Sequence, residues 1–155
     1  MNSDIPEPPS KSRQRISWTE YFMNIADTVK TRSLDPKTQV GAVLVSQKDN
    51  RLISTGYNSL PRGIDRELKY TIDWSDRELI RPYVIHAETN AVLYAESKFE
   101  NSILYTTMSP CTDCIKLLSA AQIKMIVYKN EYKDIQTVKE LCKIFGIGLV
   151  KYIAN

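Results

Sequence analysis

Hydrophobic positions along the chain follow two different periods. Stretches with an apolar residue at every third or fourth position predict helices, whereas short and nearly continuous apolar runs between turn residues predict strands. The predicted helices cover 17–32, 86–95, 111–121 and 137–145, and the predicted strands cover 40–46, 51–57, 102–107, 123–128 and 147–153. This order of elements predicts an α/β protein in which a central sheet carries helices on both faces, a three-layer α/β/α sandwich.

The connections between the strands predict how the sheet is arranged. Lys48, Asp49 and Asn50 form a turn between the first two strands, which therefore pair as a hairpin. The later strands are separated by helices long enough for crossovers, so we expect a mixed sheet, mainly of five strands. The first strand is apolar throughout, which is typical of a strand buried on both faces.

The remaining segments lack either period. Residues 1–16 contain three prolines among Ser, Lys and Arg, and we interpret them as a flexible N-terminal arm that precedes a single domain at 17–155. Residues 58–83 form the longest irregular stretch. A loop of that length inside a compact domain is usually functional, so we expect it to edge a pocket.

Composition and charge narrow the classes of function. The chain has 155 residues, 43% of them hydrophobic, and a net charge of +3 with no run of Lys and Arg. We therefore expect a small anionic substrate as the partner, and neither nucleic acid nor a membrane. Three cysteines and the absence of a long apolar run favour a reducing compartment, the cytoplasm.

Two short motifs carry the candidate chemistry. His86 and Glu88 are separated by one residue, and Pro110 precedes the pair Cys111 and Cys114. One imidazole and two thiolates can hold Zn²⁺ while leaving a fourth position open for water, as in catalytic zinc sites. Glu88 can then act as the general acid and base.

Other interpretations of these motifs remain open. The Cys-x-x-Cys pair alone could be a redox pair or a structural zinc knuckle. With Cys142 as a fourth ligand, the same donors could form a closed structural zinc site, although Cys142 lies on the apolar stripe of its predicted helix. Only the place of Glu88 in His-x-Glu distinguishes it from an ordinary surface carboxylate.

Further segments resemble the deoxycytidylate (dCMP) deaminases of the cytidine deaminase superfamily. The resemblance extends from Trp18 to the last strand and includes both zinc motifs. The other matching segments, in the same order as in that family, are 18–23, 32–36, 38–42, 56–58 and 83–91.

This resemblance implies a zinc-dependent hydrolase that converts dCMP to dUMP and ammonia and so supplies thymidylate synthesis. It assigns His86, Cys111 and Cys114 to zinc and Glu88 to proton transfer during attack of the activated water on C4. It also places the Asn58 side chain at the sugar and the Ala87 backbone at the base carbonyl. The candidates for contacts at the phosphate are Arg32, Lys37, Lys133 and, on the same rim, Tyr132.

The resemblance also suggests regulation and assembly. A loop linked in this family to activation by dCTP and inhibition by dTTP corresponds here to Tyr57, Asn58, Ser59, Leu60 and Pro61. Ser59 stands where the family has glycine, and serine does not freely adopt positive φ, which puts allosteric control in question but not catalysis. The family commonly forms homo-hexamers.

Related activities are alternatives to this interpretation. Deamination of dCTP or of free cytidine would need the same zinc chemistry. A tRNA adenosine deaminase would be expected to have a basic surface and a Glu in place of Ser109. A zinc-stabilised binding protein without activity would have no need of Glu88.

Overall fold

The computed structural model describes residues 13–63, 73–96 and 100–155. Five α-helices and five strands lie entirely within these ranges. The helices are α1 (Trp18–Val29), α2 (Arg77–Ile80), α3 (Ala87–Leu93), α4 (Thr112–Ala120) and α5 (Ile135–Phe145), and the strands are β1 (Gly41–Ser46), β2 (Leu52–Tyr57), β3 (Ser102–Met108), β4 (Met125–Asn130) and β5 (Gly148–Lys151). Single 3₁₀ turns at Lys30–Arg32 and Arg81–Tyr83 continue α1 and α2.

The strands form one mixed sheet, as predicted. Its order is β2-β1-β3-β4-β5. The strand β1 pairs antiparallel with β2 and β3, while β3, β4 and β5 run parallel to one another. A tight turn suffices for the hairpin, whereas the two parallel pairs need the crossover helices α4 and α5.

Each face of the sheet is covered by helices because side chains alternate along the strands. Ala42 and Leu44 of β1 face a core shared with α3, α4 and α5. Val43 and Val45 point to the opposite face and pack with the buried side of α1. The prediction of a three-layer sandwich with a doubly buried first strand is therefore confirmed.

Helix α1 begins where the sequence indicates. The side-chain oxygen of Ser17 accepts a hydrogen bond of 3.1 Å from the Glu20 N–H, which satisfies one of the free donors at the start of the helix. Phe22, Met23 and Ala26 then point into the sheet. Trp18, the first apolar residue of this helix, is not part of the core. Its side chain is 55% exposed, and its ring stacks on that of Phe22.

Two segments differ from expectation or fall outside the description. The predicted irregular stretch contains α2, whose four residues are too few to show a helical period; Asp76 caps it by accepting from the Leu79 N–H. Residues 64–72 of that stretch, and residues 1–12 of the predicted arm, lie outside the described residues. No helix in the described ranges is both long and apolar enough to cross a membrane.

Candidate active site

Helix α3 is held directly against the sheet at Gly56. A Cβ atom added to Gly56 would lie 2.2 Å from the Ala87 carbonyl oxygen and 2.4 Å from the Ala91 backbone nitrogen. No side chain fits there, so the absence of one lets the backbone of α3 lie on β2. This contact fixes the position of His86 and Glu88 relative to the strands.

Three metal-binding side chains meet where α3 and α4 begin. His86 is the residue before α3, Cys111 is the residue before α4, and Cys114 lies in the first turn of α4. The His86 Nδ1 atom is 3.4 Å from the sulfur of Cys111 and 3.4 Å from that of Cys114. All three donor atoms lie within 4.8 Å of one another, a spacing that fits a single metal ion.

The site opens toward solvent on one side. Cys114 is buried, Cys111 is half-buried and His86 is exposed. In the part of the chain that the structure describes, Cys142 does not belong to this cluster; it is buried in the core beside Val138. The geometry therefore supplies three ligands and does not support the closed site with Cys142.

The close spacing of the three donors shifts their pKa values in different directions. A hydrogen bond from Cys114, supported by His86, lowers the pKa of Cys111 to about 4, so its thiolate is readily available. The pKa of Cys114 is raised, first by its hydrogen bond to Cys111 and then by burial. The hydrogen bond with Cys111 raises the pKa of His86. A metal ion needs deprotonated thiols and a neutral imidazole, so a cation bound here would compete with the protons on Cys114 and His86.

Glu88 lies beside the donor cluster without belonging to it. Its side chain is buried, with Oε2 3.7 Å from the Cys114 sulfur and Oε1 3.4 Å from the Thr106 hydroxyl. Burial raises the pKa of Glu88, so the carboxylate holds a proton more readily than an exposed one. A carboxylate with this environment next to metal donors can accept and return protons.

The residues predicted to contact the base and the sugar are Ala87 and Asn58. Both are connected to His86, Ala87 along the chain and Asn58 through a backbone pairing of its neighbour. Ala87 is the first residue of α3 and is buried. Asn58 follows β2, and its neighbour Ser59 pairs through the backbone with Ile85, directly before His86. The Asn58 amide is engaged by the chain: Oδ1 accepts from the Val40 N–H at 2.8 Å and Nδ2 donates to the Thr38 carbonyl at 2.9 Å.

The predicted phosphate contacts are less constrained. Arg32 and Lys37 are exposed on the connection between α1 and β1. Tyr132 is half-buried, and its N–H donates to the Ser109 hydroxyl at 2.7 Å. The Lys133 ammonium group lies 5.7 Å from the centre of the Tyr132 ring. The hydrogen bond to Ser109 holds Tyr132 next to the loop that carries Cys111.

The loop predicted to bind effectors borders a cavity of about 130 Å³. The amide of Asn90 donates to the Tyr57 carbonyl at 2.8 Å and to the Ser59 hydroxyl at 3.1 Å. Leu60 is fully buried and Pro61 half-buried. The residues that line the cavity are Thr55, Gly56, Tyr57, Ser59, Leu60, Arg62, Asn90 and Tyr94.

The sequence offered no sign of several polar residues around the site. Asp35 is 3% exposed and forms an ion pair with Arg77, and Thr106 reaches Glu88 from β3. Ser109, noted only for its identity before Pro110, accepts from Tyr132. Asp35 lies in the matching segment 32–36, which is its only sequence signal, and a buried Thr or Ser has no distinctive spacing along the chain.

The fold and the site together define a class of metal-dependent hydrolase, with three donors and a buried carboxylate at two helix N-termini. The family model described as "Cytidine and deoxycytidylate deaminase zinc-binding region" matches residues 16–130. The chain belongs to this family, and the predicted cofactor, zinc, is confirmed by the family and by the three gathered donors.

Named relatives and solved structures agree with this assignment. The chain is 34% identical to the deoxycytidylate deaminase of Homo sapiens, over 88% of this chain and 79% of the relative. It is 33% identical to that of Mus musculus, over 88% and 80%. A crystal structure of the dCMP deaminase from the cyanophage S-TIM5, in complex with dCMP and dUMP, superposes with a TM-score of 0.73 at 25% identity and covers 90% of this chain and 100% of that one.

Proposed function

We propose that this protein is a zinc-dependent deaminase that hydrolyses dCMP to dUMP and ammonia. The observation that carries the proposal is the placement of buried Glu88 against a cluster of three metal donors. Relatives that share this family at 33–34% identity are named deoxycytidylate deaminases, and the S-TIM5 structure holds dCMP and dUMP. A structural zinc site would not need a carboxylate in that position.

The chain's own residues divide the work of the reaction. His86, Cys111 and Cys114 hold zinc, which when bound supplies the Lewis acidity that activates a water molecule for attack at C4 of the pyrimidine. Glu88 accepts the proton of that water, passes it to N3 and helps protonate the leaving amine. Its raised pKa suits this shuttle, because the group must hold the proton between steps.

The nucleotide binds, in this proposal, between the start of α3 and the loops around it. The Ala87 backbone faces the base carbonyl and Asn58 borders the sugar. Asn58 has a spare donor and lone pair, since one hydrogen of Nδ2 and one pair of Oδ1 are used internally. Arg32, Lys37 and Lys133 supply positive charge for the phosphate, and Tyr132 lies on the same rim.

Regulation, assembly and location form the finer part of the proposal. The cavity beside Ser59 is the candidate site for dCTP and dTTP, and Arg62, stacked 4.0 Å above the Tyr94 ring, supplies a cation there. Because Asn90 of α3 holds this loop, an occupant of the cavity would act on the helix that carries Glu88. We place the protein in the cytoplasm, as a homo-oligomer with six subunits as the expected number.

Ammonia release tests the proposal directly. Zinc-loaded protein is incubated separately with dCMP, dCTP, deoxycytidine and CMP, each with and without dCTP or dTTP as an effector. We expect turnover of dCMP well above that of the other substrates. Preferred turnover of dCTP or deoxycytidine would replace the assigned substrate, and an absence of turnover on all four would overturn the proposed function. An unchanged rate with effectors would remove the regulatory part alone.

A further inference from the structure

Among the ion pairs of residues that the structure describes, the pair of Asp35 and Arg77 contains the most buried partner. The two Arg77 nitrogens Nη1 and Nη2 donate to Oδ1 and Oδ2 of Asp35 at 2.9 and 2.8 Å. The Asp35 side chain is 2% exposed and that of Arg77 39%. A two-pronged pair with one partner buried is held in a single geometry, unlike a surface pair of flexible side chains.

Asp35 connects this pair to the loop before β1. Its Oδ1 atom also accepts the backbone N–H groups of Lys37 at 2.9 Å and Thr38 at 3.1 Å. The Thr38 carbonyl in turn accepts from the Asn58 amide. A continuous chain of hydrogen bonds therefore runs from Arg77 through Asp35 to Asn58.

Arg77 connects the pair to the segment before the metal site. It is the first residue of α2, from which the chain runs through Arg81–Tyr83 to Ile85, paired with Ser59 next to His86. Loops far apart in sequence thus meet at this pair.

We propose that Asp35 and Arg77 are positioning residues that together hold Lys37, Asn58 and the α2 segment, here called the nucleotide rim, in the geometry that binds substrate. They act through these neighbours and do not contact the reacting atoms. This inference rests on the proposed deaminase function, because it concerns binding of the nucleotide.

A double-mutant cycle tests the proposal. Steady-state kinetics with dCMP are measured for the zinc-loaded wild type, Asp35→Asn, Arg77→Gln and the double variant. Asn at position 35 can still accept from Lys37 and Thr38, so that variant removes the ion pair and little else. We expect each single change to raise KM about tenfold with kcat within about threefold, and the double variant to be no worse than the poorer single one.

Controls separate positioning from general damage. Arg51→Gln breaks an exposed pair with Asp49, 3.6 Å long and on the far hairpin turn, and should leave KM unchanged. Thermal melting and zinc content show whether each variant is folded. Should Asp35→Asn fail to fold, Arg77→Lys replaces it: a lysine restores charge but only a point contact, and we expect a KM between those of wild type and Arg77→Gln.

Two kinetic results would overturn the proposal. If Arg77 binds the phosphate directly, Asp35→Asn will leave KM unchanged or lower it, because a competing negative charge has gone. If the two effects simply add, the residues do not act as a pair. A wild type that releases no ammonia from dCMP would instead overturn the proposed function and this inference with it.

Discussion

The metal donors and the nucleotide rim are built in opposite ways. The donors come from two short motifs at the starts of α3 and α4, and each motif is local in sequence. The nucleotide rim depends on contacts between residues far apart, such as the pair Asp35 and Arg77, which are separated by 42 positions. In the proposed enzyme, helix geometry therefore sets most of the chemistry, whereas loop packing sets where the substrate would bind.

Replacing the carboxylate beside the donors gives the sharpest contrast between chemistry and binding. Glu88→Gln keeps the size of the side chain but removes the carboxylate that we propose as the proton carrier. We expect kcat for ammonia release from dCMP to fall by a factor of about 10³ or more. Zinc content and melting temperature should stay close to those of wild type.

The exposed residue Glu140 provides the matched control for that change. Glu140→Gln, on α5, should leave kcat and zinc content as they are. If the kcat of Glu88→Gln stays within about 10-fold of the wild-type value, another group must transfer the proton.

Cysteine replacements test whether the donors are as local as the geometry indicates. Cys114→Ala removes one of three ligands, so we expect loss of most bound zinc and of activity, measured by metal analysis of the purified protein. Cys142→Ala removes a buried thiol of the α5 core and should keep its zinc. Loss of zinc from the Cys142 variant would support the alternative of a closed structural zinc site with Cys142 as the fourth ligand.

Glycine replacements test the contact between β2 and α3, the helix that begins directly after the metal donor His86. A Cβ at Gly56 would overlap the backbone of α3, so Gly56→Ala should lower the free energy of unfolding by about 3 kcal/mol and weaken zinc binding. A Cβ at Gly63 would meet nothing within 4 Å, so Gly63→Ala should not destabilise the protein and should raise its stability by at most about 1 kcal/mol. Urea denaturation of both variants measures the difference; equal stabilities would contradict the close contact.

Much of the fold could be predicted because its signals are local. The apolar runs of β1 and β3 and the amphipathic pattern of α1 and α5 depend only on neighbouring residues, and turn residues after β1 identify the hairpin. Their ends differ from prediction by at most three residues, since caps and crossings set the ends. The four-residue helix α2 shows no period and was not predicted.

In the candidate site too, the residues in local motifs could be predicted and those held by contacts between loops could not. His86 and Cys111 precede helices and so could be placed together by motif. Residue type suggests Arg32, Lys37 and Lys133 as phosphate contacts, but it does not show that Arg77 is held in a fixed geometry by Asp35. That information lies in contacts between loops, and one sequence does not contain them in readable form.

The smallest expected effect concerns the pH dependence of the rim. Burial opposes the charge of Asp35, but the hydrogen bonds from Arg77 and from the N–H groups of Lys37 and Thr38 outweigh it and lower its pKa in the folded protein. A lowered folded pKa contributes stability that is present above the unfolded value of about 3.9 and is lost as the pH falls through the folded pKa. Asp35→Asn should therefore be less stable than wild type at neutral pH, and the gap should narrow below about pH 4.

Arg77→Gln should show the same narrowing, because it removes the partner that lowers the pKa of Asp35. Urea midpoints of the metal-free proteins, compared at each pH, keep the loss of zinc in acid out of the difference. A gap that stays constant from neutral pH down to about pH 3 would mean that Asp35 does not owe its contribution to charge. A gap that does not depend on pH would instead come from packing or hydrogen-bond geometry that the variants lose.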